Sequence, residues 1–453
     1  MKNIEKFILA IIFLSTLSCS EEILDKEPLS SFSAQGFYKT TSDAQAGVYG
    51  IYESLQSTYR VNIAYWGEGR ADAVQTNHSG DPLILQQNTL NKTMSSARWN
   101  SIYQTISRAN YAIKYVPEVS QSEFGLRLIG EARALRALSY FYAVRIWGDV
   151  PLITQPYESV EQDLFLERTD KELVLDQIVA DLQFAAENCN TNFGGERDRV
   201  LITQGGANAL LTQVYMWRKE YQNAATAADL VLDNSLYSLV SMADWSNIFT
   251  TGFSNESIFE VGYNDVQTNG LRILYALGAD SDYFPSEKFR NSFEDGDLRK
   301  SKIYDTTAVQ PRKIWKYFGE GFNDESPEPS SNNIVLARLA DIMLLKAEAL
   351  NELGQTDEAL DLLNTIRTRA GLPDLDEAGA IEAYGDLQTA ILHERSIELS
   401  FEGHRWFDLV RTGKAIDIMQ PLSGLSDEAN LLWPLHEDAL NRNPNLDQNS
   451  FYQ

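Results

Sequence analysis

The chain has few of the residues that carry reactive chemistry. It contains 2 cysteines and 4 histidines in 453 residues. Cys19 and Cys189 cannot build a disulfide framework if the first is modified. His78, His393, His404 and His436 are too scattered in sequence to read as a metal site. His393-Glu394 opens like a zinc-protease motif, but Ile397 stands where the second histidine belongs. No Gly-x-Ser-x-Gly and no phosphate loop occurs. Positive charge is also scarce: 38 Lys and Arg face 64 Asp and Glu, a formal net charge of −26. Such a surface repels nucleic acid and anionic headgroups, and favours neutral ligands over uronic or sulfated ones, unless a local basic patch overrules the average. The apolar run at residues 7–14 is too short to span a bilayer.

What is present is a core and a surplus of rings. At 43% hydrophobic residues the chain can bury one large or two ordinary domains. Its 21 Tyr and 8 Trp exceed what a core needs, and both sugars and peptides bind on rings. Residues 1–18 read as an export signal: Lys2 and Lys6, the apolar run, then small residues. Cys19 follows at once and reads as the lipidated first residue of a bacterial lipoprotein, although Thr16 occupies the position where such signals usually carry Leu. The other reading is an ordinary signal with an incidental cysteine. Acyl chains on Cys19 would contribute about 0.8 kcal/mol per buried CH₂, enough for a permanent anchor. Residues 19–36 then form an anchor and linker. Cys189 reads as a small buried residue near a helix end.

Helical periodicity dominates the remainder. Leu339, Met343, Ala347, Leu350 and Leu353 recur at steps of three and four, and Gly354 ends their helix. Thr356 offers a cap to the next helix, Asp357 and Glu358 suit its first turn, and Ala359, Leu360, Leu363 and Ile366 form its apolar face. Gly371 and Pro373 stop it. A turn this short makes the two helices antiparallel, which is the tetratricopeptide pattern. Residues 207–232 repeat the cadence, and 97–115, 127–147, 170–188 and 203–218 supply further helices. Residues 42–55 read as the first core helix, with Ala46, Tyr49, Ile51 and Leu55 inward. Glu394, Glu398 and Glu402 share one helix face among Arg395, Arg405 and Arg411. A glycosidase would need one carboxyl of raised pKa and another across the scissile bond; a partly buried ion-pair network is the simpler reading. Gly403 interrupts that helix and Gly413 caps its end.

Two stretches depart from this period. Residues 60–91 are irregular and polar. In 241–333 the pattern changes: 256–263 alternates like a strand, and 313–318 places Trp315 and Tyr317 on one face of a short strand. Asp295, Asp297 and Arg299 hint at calcium, but the spacing gives no EF-hand loop, and no cofactor is expected. Long irregular segments inside a helical protein are functional or linkers. The ligand residues expected there are Tyr65, Trp66, Arg70, Asp72, Tyr283, Trp315 and Tyr317, because sugar C–H faces stack on rings while hydroxyls need Arg, Asp or Asn partners. The alternative for each ring is core packing, to which Trp99, Trp147, Trp217 and Trp406 are assigned.

Five phrases together resemble the SusD/RagB family: LDKEP at 24–28, EARALRALSYFYAVRIWGDVPL at 131–152, FRNSFEDGDLRKS at 289–301, ILHERSIELSFEGHRWFDLVRTGK at 391–414 and NPNLDQN at 443–449. The resemblance implies a mainly α fold over 37–453. It would have tetratricopeptide-like helices at about 97–232 and 335–413, and irregular and short-β insertions at about 60–91 and 241–333. It further implies an outer-membrane lipoprotein anchored through Cys19 and facing the cell surface. Such a protein binds oligosaccharide and passes it to a SusC-like TonB-dependent transporter, with no enzymatic activity. Two alternatives remain open: peptide capture, as in the RagB branch, and a transporter lid with little ligand affinity of its own.

Overall fold

The computed structural model describes residues 34–159, 161–277, 280–322 and 330–453. The export segment, Cys19 and the LDKEP phrase therefore lie outside the described residues.

The first long helix, α1 (Thr41–Tyr59), starts at a reciprocal cap. Thr40 accepts from the Asp43 amide while the Asp43 carboxylate accepts from the Thr40 amide. Its buried stripe is Ala44, Val48, Ile51 and Leu55; Ala46 and Tyr49 face outward, one turn position away from the expected side. Two short helices, α2 (Asn62–Gly67) and α3 (Asp81–Gln86), flank strand β1 (Val74–Gln75). The segment expected as an irregular loop is thus largely buried. The helices α4 (Asn100–Val119), α5 (Glu123–Trp147), α6 (Lys171–Asn188), α7 (Gln204–Trp217) and α8 (Tyr221–Leu232) follow. Each packs beside its chain neighbour, and α1 packs on α4. Helix α5 is buried almost all round because Ala132, Ala134, Ala137 and Ala143 let neighbours approach from several sides. Asp170 and Thr203 cap α6 and α7.

Strand β2 (Ser257–Val261) is buried at every residue rather than alternating, since both of its faces are covered. Strand β3 (Phe284–Pro285) pairs antiparallel with β1, and β2 pairs antiparallel with β4 (Ile334–Arg338). Residues 313–318 do not form the expected strand; a single bridge joins Tyr304 and Ile314, and turns follow. From β4 the chain passes directly into α9 (Leu339–Glu352) and then α10 (Thr356–Arg369). Thr356 is the first helical residue of α10 rather than its cap, and Gln355 ahead of it makes no side-chain cap bond. Helix α9 packs on both α8 and α10, so the two helical regions join into one stack. The helices α11 (Glu377–Tyr384), α12 (Leu387–Glu398), α13 (Arg405–Arg411), α14 (Ala415–Ser423) and α15 (Glu437–Arg442) complete the chain.

One apolar core runs from Ala44 to Leu446. Residues after α14 return to the start of the molecule. The Trp433 amide donates to the Ile146 carbonyl at 2.8 Å. Asn449, in the NPNLDQN phrase, donates to the carbonyls of Trp147 and Trp433 and accepts from Arg168. Gly67 meets Gly403 backbone to backbone; a Cβ on Gly67 would lie 2.0 Å from the Gly403 oxygen. Gly403 itself has φ +86°, the left-handed conformation that breaks the chain between α12 and α13.

Candidate functional site

The residues expected to bind ligand are used for packing. Trp66 is wholly enclosed, donates to the Ser96 carbonyl at 3.0 Å, and packs against Tyr59, Tyr142 and Trp147. Arg70 is also enclosed: its guanidinium lies 4.1 Å from the Trp406 ring centre and donates to Asn88 and to the carbonyls of Asn430 and Leu431. Burial lowers its pKa to about 10. Asp72 is held by Arg405 at 2.8 Å and Lys288 at 2.9 Å. Burial alone would raise its pKa, but these two cations hold it well below the usual range. Tyr283 and Tyr317 are buried, the latter donating to the Phe401 carbonyl. Trp315 is buried to 8% exposure. Tyr65 is half-buried with its hydroxyl committed to Asp282 at 2.8 Å. Six of the seven are buried, and Tyr65 is only half-open, so as a set they do not form a stacking surface. A polar, glycine-bearing sequence reads as a loop until the structure shows buried partners for its polar groups.

The acidic face of α12 forms an ion-pair network, but with partners other than the nearby arginines. Glu398 accepts from Arg338 and Arg369 at 2.6 Å and from Arg299 at 3.0 Å. Glu402 does not share the helix face expected of it, because α12 ends at Glu398 and Glu402 lies in the turn that follows; it accepts from Arg338 and Lys316, and Glu394 accepts from Arg299. Arg395 and Arg411 instead bind Asp408, and Arg405 binds Asp72. Burial would raise Glu398 and Glu402, yet the surrounding cations hold both below the ordinary carboxylate range. All three carboxylates are enclosed and paired, as an ion-pair network requires, and burial leaves the Glu394 carboxyl above its ordinary value despite Arg299. Among the described residues no group of three or more His, Cys, Asp or Glu could hold a metal ion.

A concavity of about 810 Å³ lies elsewhere. It is walled by the first turns of α4, by the 151–166 loop and by residues from α15 to Leu446. Trp99 sits at its edge, half-buried and 5.3 Å from Tyr103 and 5.8 Å from Trp147, both edge-to-face. Behind these rings the walls are pinned. Tyr103 donates to the Pro151 carbonyl at 2.8 Å, Tyr111 to the Tyr157 carbonyl, and Asn443 to the Leu166 carbonyl. Tyr140 exchanges two hydrogen bonds with the Ile153 backbone, which fixes the loop onto α5. Asn100, Gln104 and Arg442 line the same cleft, and their side chains make no hydrogen bond or ion pair among the described residues. The cleft therefore presents rigid ring faces (Trp99, Tyr103, Tyr157) beside uncommitted polar heads. That combination suits a flat polar ligand with apolar C–H faces. The sequence reading assigned Trp99 to the core. The available signal was its place: it precedes α4 and falls at the edge of the stripe Ile102, Ile106 and Ala109 that the helix buries.

Among the described residues no helix is long and apolar enough to cross a membrane. The SusD family profile matches residues 212–452, and a second profile, described as starch-binding and associating with the outer membrane, matches 24–234. SusD-like protein P38 of Formosa agariphila is 32% identical, covering 100% of this chain and 99% of the relative. A laminarin-binding SusD-like protein shares the fold with TM-score 0.79 at 26% identity, covering 92% of this chain and 100% of that one. A SusD superfamily protein from Bacteroides thetaiotaomicron gives 0.76 at 27%, covering 92% and 99%. Matched in sequence along its length and in its mainly helical architecture, the chain belongs to the SusD/RagB family.

Proposed function

We propose that this chain is a binding protein of the outer-membrane surface, anchored by acylated Cys19, that captures an oligosaccharide in the Trp99 cleft and hands it to a SusC-like TonB-dependent transporter. The observation that carries the reading is the cleft itself: Trp99, Tyr103 and Tyr157 around about 810 Å³, with the side chains of Asn100, Gln104 and Arg442 making no hydrogen bond or ion pair among the described residues. The starch-binding description of the family profile and the laminarin-binding neighbour support a glycan as the ligand. The paired carboxylates of α12 support binding without catalysis.

The test is calorimetric titration of residues 20–453 with neutral oligosaccharides and with peptide digests. A neutral glycan should bind, and Trp99→Ala should weaken it about tenfold, equivalent to about 1.4 kcal/mol. An unchanged Kd in Trp99→Ala would remove the cleft from the mechanism. Binding of peptides alone would move the protein to the RagB-like reading.

A further inference from the structure

Two smaller concavities, of about 650 and 400 Å³, share Arg290 and Pro311 and so form one winding groove on the 284–312 side of the molecule. None of their lining residues belongs to the Trp99 cleft. The local charge runs against the chain. Residues 284–316 carry eight Lys and Arg against five Asp and Glu, whereas the whole chain has 38 against 64.

The use of these cations matters more than their number. Around the buried carboxylates of the core the arginines are consumed: Arg299, Arg338, Arg367, Arg369, Arg395, Arg405 and Arg411 all make ion pairs. In the groove, Arg290, Lys300 and Arg312 make none among the described residues. Arg290 donates only through Nε, to the Ser286 carbonyl at 3.4 Å, which leaves the outer edge of its guanidinium open. Lys300 lies 5.7 Å from the Phe293 ring centre and has no carboxylate. Arg312 is held flat, 4.4 Å from the Phe284 ring centre; with the Asn77 amide turned so that its oxygen faces the guanidinium, both terminal nitrogens of Arg312 donate to it, so the open fork of the groove is that of Arg290. Two carboxylates also line the groove. Asp297 is paired with Arg299 at 2.8 Å, a guanidinium it shares with Glu394 and Glu398, and Glu287 is exposed at the Arg312 end. Thr76, Ser301 and Tyr304 add hydroxyls to the walls.

A planar guanidinium presents two parallel N–H groups, which match two oxygens of a carboxylate or sulfate. Field from the net charge of the whole surface is screened beyond about 8 Å at physiological salt, so at contact distance the groove's own cations decide the sign. We propose that this groove is a second subsite, selective for an oxyanion carried on a saccharide, either a sulfate ester or a uronate carboxylate. That the carrier is a saccharide rests on the function proposed above; the preference for negative charge rests on the groove alone.

The test titrates residues 20–453 with a sulfated carrageenan tetrasaccharide, its desulfated counterpart, and tetragalacturonate. At least one charged sugar should bind about tenfold tighter than the neutral one. The double variant Arg290→Gln/Arg312→Gln should abolish that preference, while in Trp99→Ala, which weakens the neutral sugar, the charged sugar should remain the tighter binder. Preference for the sulfated sugar only assigns sulfate, and for galacturonate only assigns carboxylate. Equal binding of charged and neutral sugars by the wild type, or a preference that survives the double variant, overturns the proposal. Binding of the neutral sugar, and its loss in Trp99→Ala, decides the Trp99 cleft independently.

Discussion

Replacing Arg338 by Gln tests whether the carboxylate cluster is structural. Arg338 is wholly buried and donates to Glu402 at 2.7 and 2.8 Å, to Glu398 at 2.6 Å and to Glu256 at 2.7 Å. Without it Glu402 keeps Lys316, Glu256 keeps Arg369, and Glu398 keeps Arg369 and Arg299. No carboxylate is left alone, but Lys316, Arg369 and Arg299 then face five carboxylates, since Arg299 also serves Asp297 and Glu394, in an enclosed site. Breaking a buried pair costs about 3–5 kcal/mol. A mid-range loss of about 4 kcal/mol, divided by an unfolding entropy of about 0.9 kcal/mol/K for a chain of this size, lowers Tm by about 4 °C. Urea unfolding at pH 7 would give the free energy directly. The pH dependence adds a second check. Glu398 and Glu402 sit below their unfolded values, so their contribution is present above about pH 4.3 and is lost as pH falls through the folded values. The difference between wild type and Arg338→Gln should therefore hold from pH 7 to about pH 5 and shrink below about pH 4. A loss under about 1 kcal/mol at pH 7, the range of an exposed pair such as Arg108–Glu53, would refute the argument.

Two further outcomes follow from single residues. Gly67→Ala should cost about 3 kcal/mol or more, because the new Cβ meets the Gly403 backbone, which cannot swing away. Gly50→Ala, on α1 with nothing within 4 Å, should instead stabilise by up to about 1 kcal/mol; equal effects in thermal melts would sink the packing argument. Glu68 is fully buried, and burial lifts its pKa to about 8 despite the Gly403 amide at 2.8 Å. Its folded state thus holds a proton that the unfolded state releases near pH 4.3, so stability is lost as pH rises from there to about 8. Glu68→Gln removes this term, and its stability relative to wild type should increase between pH 5 and pH 8; a pH-independent difference in urea midpoints would contradict it.

Helices were legible in the sequence where one face is apolar. Ala359, Leu360, Leu363 and Ile366 are all buried as their spacing requires. In α1 the period placed Ile51 and Leu55 inward as they are, but it also turned Ala46 and Tyr49 inward, where Ala44 and Val48 pack instead. Burial of polar groups was not legible. Arg70 and Asp72 look like surface ligands until partners 361 and 333 residues away enclose them. The acidic face of α12 was recognised as an ion-pair network, but Arg299, Arg338 and Arg369 reach it from distant segments that no local spacing reports. The Trp99 cleft was missed for the same reason, since its third wall comes from residues 438–446.

The return of residues 430–452 to the first half of the molecule also sets a clock. Arg70 and the carbonyl of Asn430 are 360 residues apart. At about 5–20 residues per second of synthesis, that is about 20–70 s during which the guanidinium of Arg70 lacks the carbonyls that finally receive it. The Trp147 carbonyl waits comparably long for Asn449. These hydrogen bonds tie together the two stretches that separate profiles match, 24–234 and 212–452. A fragment ending before residue 430 would leave the 60–91 segment and the end of α5 without the groups that seal them, so closure of this fold waits on the last-made turn of the chain.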